Sequence, residues 1–89
     1  MVLIRLPSAL REYAQGAATV EVEGDTVAAV LNELAGRHPL VGRRVMDEQG
    51  HVRRHVHVYI GDERFRSLDD AISPGTELTI LPAVSGGFS

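Results

Sequence analysis

Val84-Ser85-Gly86-Gly87-Phe88-Ser89 places a pair of glycines beyond an apolar strand and almost at the C-terminus. Glycine has no Cβ and adopts backbone angles closed to other residues. Two in succession let a tail thread a narrow channel, with Val84, Ser85 and Gly86 as the threading segment. The Gly87 carbonyl would then come close to the catalytic groups of another protein. The chemistry implied is acyl chemistry: a free Gly87 carboxylate could be activated and passed to a nucleophile. Phe88 and Ser89 block that chemistry, because Gly87 is an internal amide until the bond between Gly87 and Phe88 is cut. A frayed terminus also carries glycines, so the weight of the motif rests on what precedes it.

Little else in the chain could do chemistry. There is no cysteine, which excludes disulfides, thiolate metal sites and a cysteine nucleophile. There is no lysine either, since all nine basic residues are arginine. A genomic preference for arginine would account for that. A chain with an activated terminal acyl group would also gain from lacking amine and thiol acceptors. No Ser, His and Asp form a nucleophile motif. Gly24-Asp25-Thr26 is too short for a phosphate loop and reads better as a helix cap. Asp69-Asp70 and Glu21 with Glu23 read as solvated acids. His51, His55 and His57 lie close in sequence, with the last two expected on one strand face. Two imidazoles could bind Zn²⁺ or Cu²⁺ with a third ligand, but no cysteine or matching carboxylate accompanies them. No metal site is assigned, and the chain is expected to bind no cofactor and to have no catalytic site of its own.

The elements that would carry the tail are legible from periodicity. Met1 to Leu6 alternates with Val2, Ile4 and Leu6 on one face, and Thr19 to Glu23 with Val20 and Val22 inward. These two strands read as a loose antiparallel hairpin, with Ala9 to Gly16 a loop or short helical turn between them. Asp25 is the expected N-cap of a helix, with Thr26 as the fallback. Val27, Val30, Leu31 and Leu34 form its apolar stripe. Gly36 is the expected C-cap and Pro39 the stop. Leu40 to Met46 suggests one helical turn. Arg53 to Ile60 reads as a strand, Arg64 to Arg66 as a short one, Leu68 to Ile72 as a docking turn, and Thr76 to Leu81 as the last strand, ended by Pro82.

The order β β α β β β predicts an α+β domain: a mixed sheet of four to five strands with one main helix packed on one face. Inserting the apolar last strand beside the first gives the β-grasp, or ubiquitin-like, arrangement. Residues 1–82 would form the domain and 83–89 a flexible tail mounted on a central strand. The uncovered face would carry Leu3, Arg5, His55, His57, Tyr59, Thr79 and Leu81. Of these, Arg5, His57, Tyr59 and Leu81 are the candidate partner surface, since such a mixed patch suits transient docking. An ordinary half-apolar surface would look the same.

Composition narrows the class. Eighty-nine residues fit one small domain with a modest core. The net charge of −3, with both signs well mixed, argues against nucleic acid as a partner and offers no basic tail to a membrane. No apolar run approaches the roughly 20 residues that span a bilayer. The N-terminus lacks the basic leader and apolar length of a signal peptide, so a cytoplasmic location and a monomeric state are expected.

The chain resembles the MoaD/ThiS family of ubiquitin-like sulfur carriers over essentially its full length. The residues that carry the resemblance are Gly24-Asp25-Thr26 opening the helix, Val56-His57-Val58-Tyr59-Ile60, and Pro74-Gly75-Thr76-Glu77-Leu78-Thr79-Ile80-Leu81-Pro82 leading to Gly86-Gly87. Within the family, Val45-Met46-Asp47, the Tyr59 strand and Leu81-Pro82-Ala83-Val84-Ser85-Gly86-Gly87 look most like CysO-type carriers. The resemblance implies that an E1-like enzyme, using ATP and Mg²⁺, adenylates the Gly87 carboxylate. Sulfide or a persulfide donor then displaces AMP and leaves a thiocarboxylate. A sulfur-accepting synthase, pyridoxal-phosphate-dependent in CysO-type systems, consumes it in cysteine biosynthesis. Phe88-Ser89 departs from carriers that end at Gly-Gly and is similar to extensions removed by a JAMM-type metalloprotease. The tail alone does not separate this role from a molybdopterin synthase small subunit, a ubiquitin-like protein modifier or a non-catalytic β-grasp interaction domain.

Overall fold

In the computed structural model, which describes residues 1–82, the alternating apolar segments become five strands of one sheet. They are β1 (Val2–Arg5), β2 (Thr19–Val22), β3 (Val56–Ile60), β4 (Glu63–Arg64) and β5 (Glu77–Pro82). The sheet order is β2-β1-β5-β3-β4. β1 and β2 are antiparallel, with Ile4 opposite Val20, as the hairpin reading required. β5 runs parallel to β1, with Ile4 opposite Leu78, and antiparallel to β3, with Val58 opposite Ile80. The last strand is therefore central, flanked on both sides, and its last residue is Pro82. The expected tail, 83–89, lies outside the described residues.

Alternation sends Val2, Ile4, Val20, Val22, Val58, Leu78 and Ile80 to one face, where all are buried. Across that face lies α2 (Val27–Arg37), whose Val27, Val30, Leu31 and Leu34 are fully buried. Burying a side chain of this size stabilises by about 1.5–3 kcal/mol before ordering costs, so this two-layer contact supplies most of the core. Two shorter helices flank it: α1 (Ser8–Arg11), continued by a 3₁₀ turn over Glu12–Ala14, and α3 (Pro39–Val45).

The structure corrects several boundaries. Thr26 rather than Asp25 caps α2, its hydroxyl accepting from the Ala29 N–H at 3.1 Å. The 68–72 loop explains the choice. Val27 N–H and Ala28 N–H donate to the carbonyls of Asp70 and Leu68, while the Asp25 carbonyl accepts from Ile72 N–H. The first-turn donors are thus taken up by tertiary contacts, and the Asp25 side chain is left exposed. Gly36 does not end α2. The helix runs on to Arg37, whose guanidinium donates to Glu33 at 3.1 Å and to the Glu21 carbonyl of β2 at 2.9 Å.

Pro39 stops that helix and starts the next, since the first helical position has no use for an N–H. α3 is longer than the expected single turn. It packs through Val41, Gly42 and Val45, all buried. A Cβ on Gly42 would stand 2.8 Å from the Ala35 Cα, so only glycine allows α2 and α3 to approach this closely. β3 begins at Val56, opposite Pro82, rather than at Arg53, because residues 54 and 55 form a turn. Arg53 is instead tied to α3, its N–H donating to the Val45 carbonyl at 2.9 Å. The short fourth strand covers Glu63–Arg64, starting one position and ending two positions earlier than expected.

Candidate functional site

β5 emerges at Pro82 between two surfaces, and the sequence had singled out only one of them. The first is the open face of the sheet. Register places Arg5 opposite Thr79, Thr79 opposite Tyr59, Tyr59 opposite Arg64, and His57 opposite Leu81. The nominated residues Arg5, His57, Tyr59 and Leu81 thus share one face across β1, β5 and β3. His57 and Tyr59 are half-buried by their neighbours, whereas Leu81 is 43% exposed beside the chain exit. The Arg5 guanidinium meets Glu77 at 2.9 Å, and that hydrogen bond and charge raise its pKa further. Both partners are exposed, so the pair orients the surface more than it stabilises the fold.

His55 is not part of this face. It lies in the turn before β3 and is exposed, so His55 and His57 do not share a strand as the alternation suggested. Among the described residues, no three His, Asp or Glu side chains converge on a point that could hold a metal ion.

The second surface is a groove of about 600 Å³ at the end of the sheet where β5 leaves it. Its floor combines Leu10, Val56 and Ile80, and its walls include Leu40, Leu81 and Pro82. Arg43, Arg44 and Arg53 stand at its rim. Two of the three are held in place. The Arg44 guanidinium stacks on the Tyr13 ring, 4.1 Å from its centroid. Arg53 Nε donates to the Arg43 carbonyl at 2.7 Å, placing a cation at the negative end of α3. Sequence reasoning missed this groove, because its parts come from four separated segments. The available signals were the doublets Arg43-Arg44 and Arg53-Arg54 and a leucine, Leu40, on a polar helix face.

The residues expected to carry the chemistry, Val84, Ser85, Gly86, Gly87 and Phe88, lie outside the described residues. What the structure defines is their mount. Pro82 is fixed at the end of a strand paired on both sides, and the five residues from Ala83 to Gly87 can extend at most about 18 Å beyond it.

A five-stranded mixed sheet with its last strand beside its first and a helix across one face is the ubiquitin-like β-grasp fold. The sequence matches the ThiS family over residues 4–87, and the chain belongs to that family. It is 37% identical to the sulfur carrier protein CysO of Mycobacterium tuberculosis, over 97% of this chain and 98% of that one. It is 39% identical to small archaeal modifier protein 1 of Haloferax volcanii, over 76% of this chain and 78% of the relative. The crystal structure of the Amycolatopsis orientalis BexX/CysO complex contains a chain that superposes with a TM-score of 0.88 at 33% identity, covering 98% of this chain and 100% of that one.

Proposed function

We propose that the protein is a sulfur carrier whose working atom is the C-terminal carboxylate of Gly87, exposed after Phe88-Ser89 is removed. The observation that carries this reading is the extent of the family match, which ends at Gly87 with two residues still to come. The name of the Mycobacterium tuberculosis relative supports it.

The chemistry divides between carrier and partners. A JAMM-type metalloprotease hydrolyses the Gly87–Phe88 bond and frees the carboxylate. In an E1-like enzyme, that carboxylate attacks the α-phosphorus of ATP, with Mg²⁺ assisting, and pyrophosphate leaves. Hydrosulfide then attacks the acyl-adenylate carbon, AMP leaves, and a thiocarboxylate remains on Gly87; a persulfide would instead give an acyl disulfide, which a second thiol must cleave to release the same thiocarboxylate. A sulfur-accepting synthase, pyridoxal-phosphate-dependent if the product is cysteine, consumes it. The carrier supplies no acid or base and is not itself an enzyme. It supplies a glycine terminus with no side chain, held within about 18 Å of a rigid strand, and a surface that partners read. Arg5, His57, Tyr59 and Leu81 form the part of that surface on the open sheet face.

A test is reconstitution with an E1-like enzyme of the same host. The chain ending at Gly87 should release pyrophosphate from ATP and acquire AMP, and the full-length chain should do neither. Equal activity of the two would refute the requirement for processing, and inactivity of both would refute the carrier reading. The likeness to small archaeal modifier protein 1 favours a second use of the same activated terminus, attachment to other proteins. Conjugates of higher mass that disappear when Gly87 is deleted would identify it.

A further inference from the structure

We infer that the groove beside Pro82 is a docking site for a partner's peptide segment in which an apolar residue is flanked by acidic ones. Apart from Met1, the only large hydrophobic side chains exposed among the described residues are Leu40 at 51% and Leu81 at 43%, and both line this groove. Gathered in one groove rather than scattered, they give it an apolar lining of the kind that interaction sites use. The rim is cationic: Arg43, Arg44 and Arg53 line the groove, no carboxylate does, and none of the three enters an ion pair among the described residues. The chain as a whole carries a net charge of −3, so this basic rim stands against an acidic molecule. An acidic segment is repelled by the rest of the surface and steered to this end of the sheet.

The rim is also preorganised. Tyr13 holds the Arg44 guanidinium by stacking, and the Arg43 carbonyl holds Arg53. Less side-chain freedom is therefore lost when a carboxylate binds them. The site adjoins the open sheet face at Leu81, which belongs to both surfaces. It goes beyond the carrier reading, which assigns the groove no role. Pro82 lines the groove, however, so a segment bound there anchors its protein at the base of the presented terminus.

The experiment is selection of random twelve-residue peptides displayed on phage against the full-length protein immobilised through its N-terminus. Peptides with Asp or Glu on both sides of a Leu, Phe or Trp should be enriched. Their binding should weaken with salt and fall by about tenfold or more in Leu40→Asp and in the double variant Arg43→Glu/Arg44→Glu. These side chains are exposed, so both variants should fold; the double variant, which also loses the Arg44–Tyr13 stack, should melt slightly lower but with the same cooperative transition. In the ¹⁵N-labelled protein, a synthetic copy of the enriched peptide should shift the amides of Tyr13, Leu40 and Val56. Enrichment of peptides without acids, binding that survives both variants, shifts confined to the sheet face, or no enrichment at all would overturn the inference. So would groove amides that move on dilution or on deletion of residues 83–89 without peptide, since the occupant would then be a second copy or the chain's own end.

Discussion

Gly87→Val would add a branched side chain beside the carbonyl that an activating enzyme must reach. Misplacing a reacting atom by about 1 Å costs on the order of a hundredfold in rate. The variant ending at position 87 should therefore accept AMP about a hundredfold more slowly, with an unchanged melting curve. AMP transfer at the parent rate would contradict the threading role of the glycine pair. Thr26→Ala tests a structural residue instead. Losing the hydroxyl that accepts from Ala29 N–H should cost about 1 kcal/mol in denaturant unfolding, whereas Asp25→Ala should cost little, because Asp25 takes part through its backbone carbonyl. Asp70 gives the stability a pH dependence. Its carboxylate accepts from the N–H groups of Arg66 at 2.7 Å and Ser67 at 3.1 Å, and these bonds hold its pKa below the ordinary value. A carboxylate depressed on folding stabilises fully above its unfolded pKa, about 3.9, and that contribution is lost as pH falls through the folded value. Asp47 acts with the same sign, through bonds from the N–H groups of His51 and Gln49. Melting temperatures measured from neutral pH down to acid should therefore fall less steeply for Asp70→Asn than for the parent. A steeper fall would show that Asp70 is not held in this way.

At the scale of elements, the contact between α2 and α3 is the most demanding. Gly42→Ala must push the two helices apart, because the added Cβ meets the Ala35 backbone. Overpacking of this kind costs about 1–3 kcal/mol. Gly36→Ala should be neutral or mildly stabilising, since a Cβ there meets nothing within 4 Å and alanine favours the helix interior. Denaturant melts of the two variants separate a packing glycine from a merely tolerated one. The same contrast shows what the sequence made legible. The strands β1, β2 and β5 and the helix α2 were readable because each buries a full periodic stripe, and the central place of β5 followed from its apolar inward residues. α3 was not readable at its true length, because its stripe is only Val41 and Val45 with a glycine between, and that glycine matters only through Ala35. The start of β3 was misplaced because alternation runs on through Val52, whereas the Arg53 N–H is taken by the Val45 carbonyl of α3 and the chain turns at 54–55 before the ladder begins. The N-cap was misassigned because the 68–72 loop, distant in sequence, takes the first donors of the helix. The open sheet face was readable from alternation, apart from His55, and the groove was not, because its arginines come from α3 and the loop before β3.

For the whole molecule, the proposed division of labour is between a rigid domain and a reactive terminus. The core from Val2 to Ile80 closes within the described residues, so deleting residues 86–89 should leave thermal stability within about 0.5 kcal/mol of the parent while abolishing any activation by ATP. No helix among the described residues is long and apolar enough to cross a membrane. The domain offers an open sheet face and a cationic groove that meet near Pro82. The central claim is that Gly87 becomes a terminal thiocarboxylate. The most direct test is the intact mass of the protein purified untagged from its host under minimal reductant. The expected result is loss of the Phe and Ser residues together with replacement of one oxygen by sulfur at the new terminus. A mass that retains Ser89 under every growth condition would leave Gly87 an internal amide and contradict the carrier function.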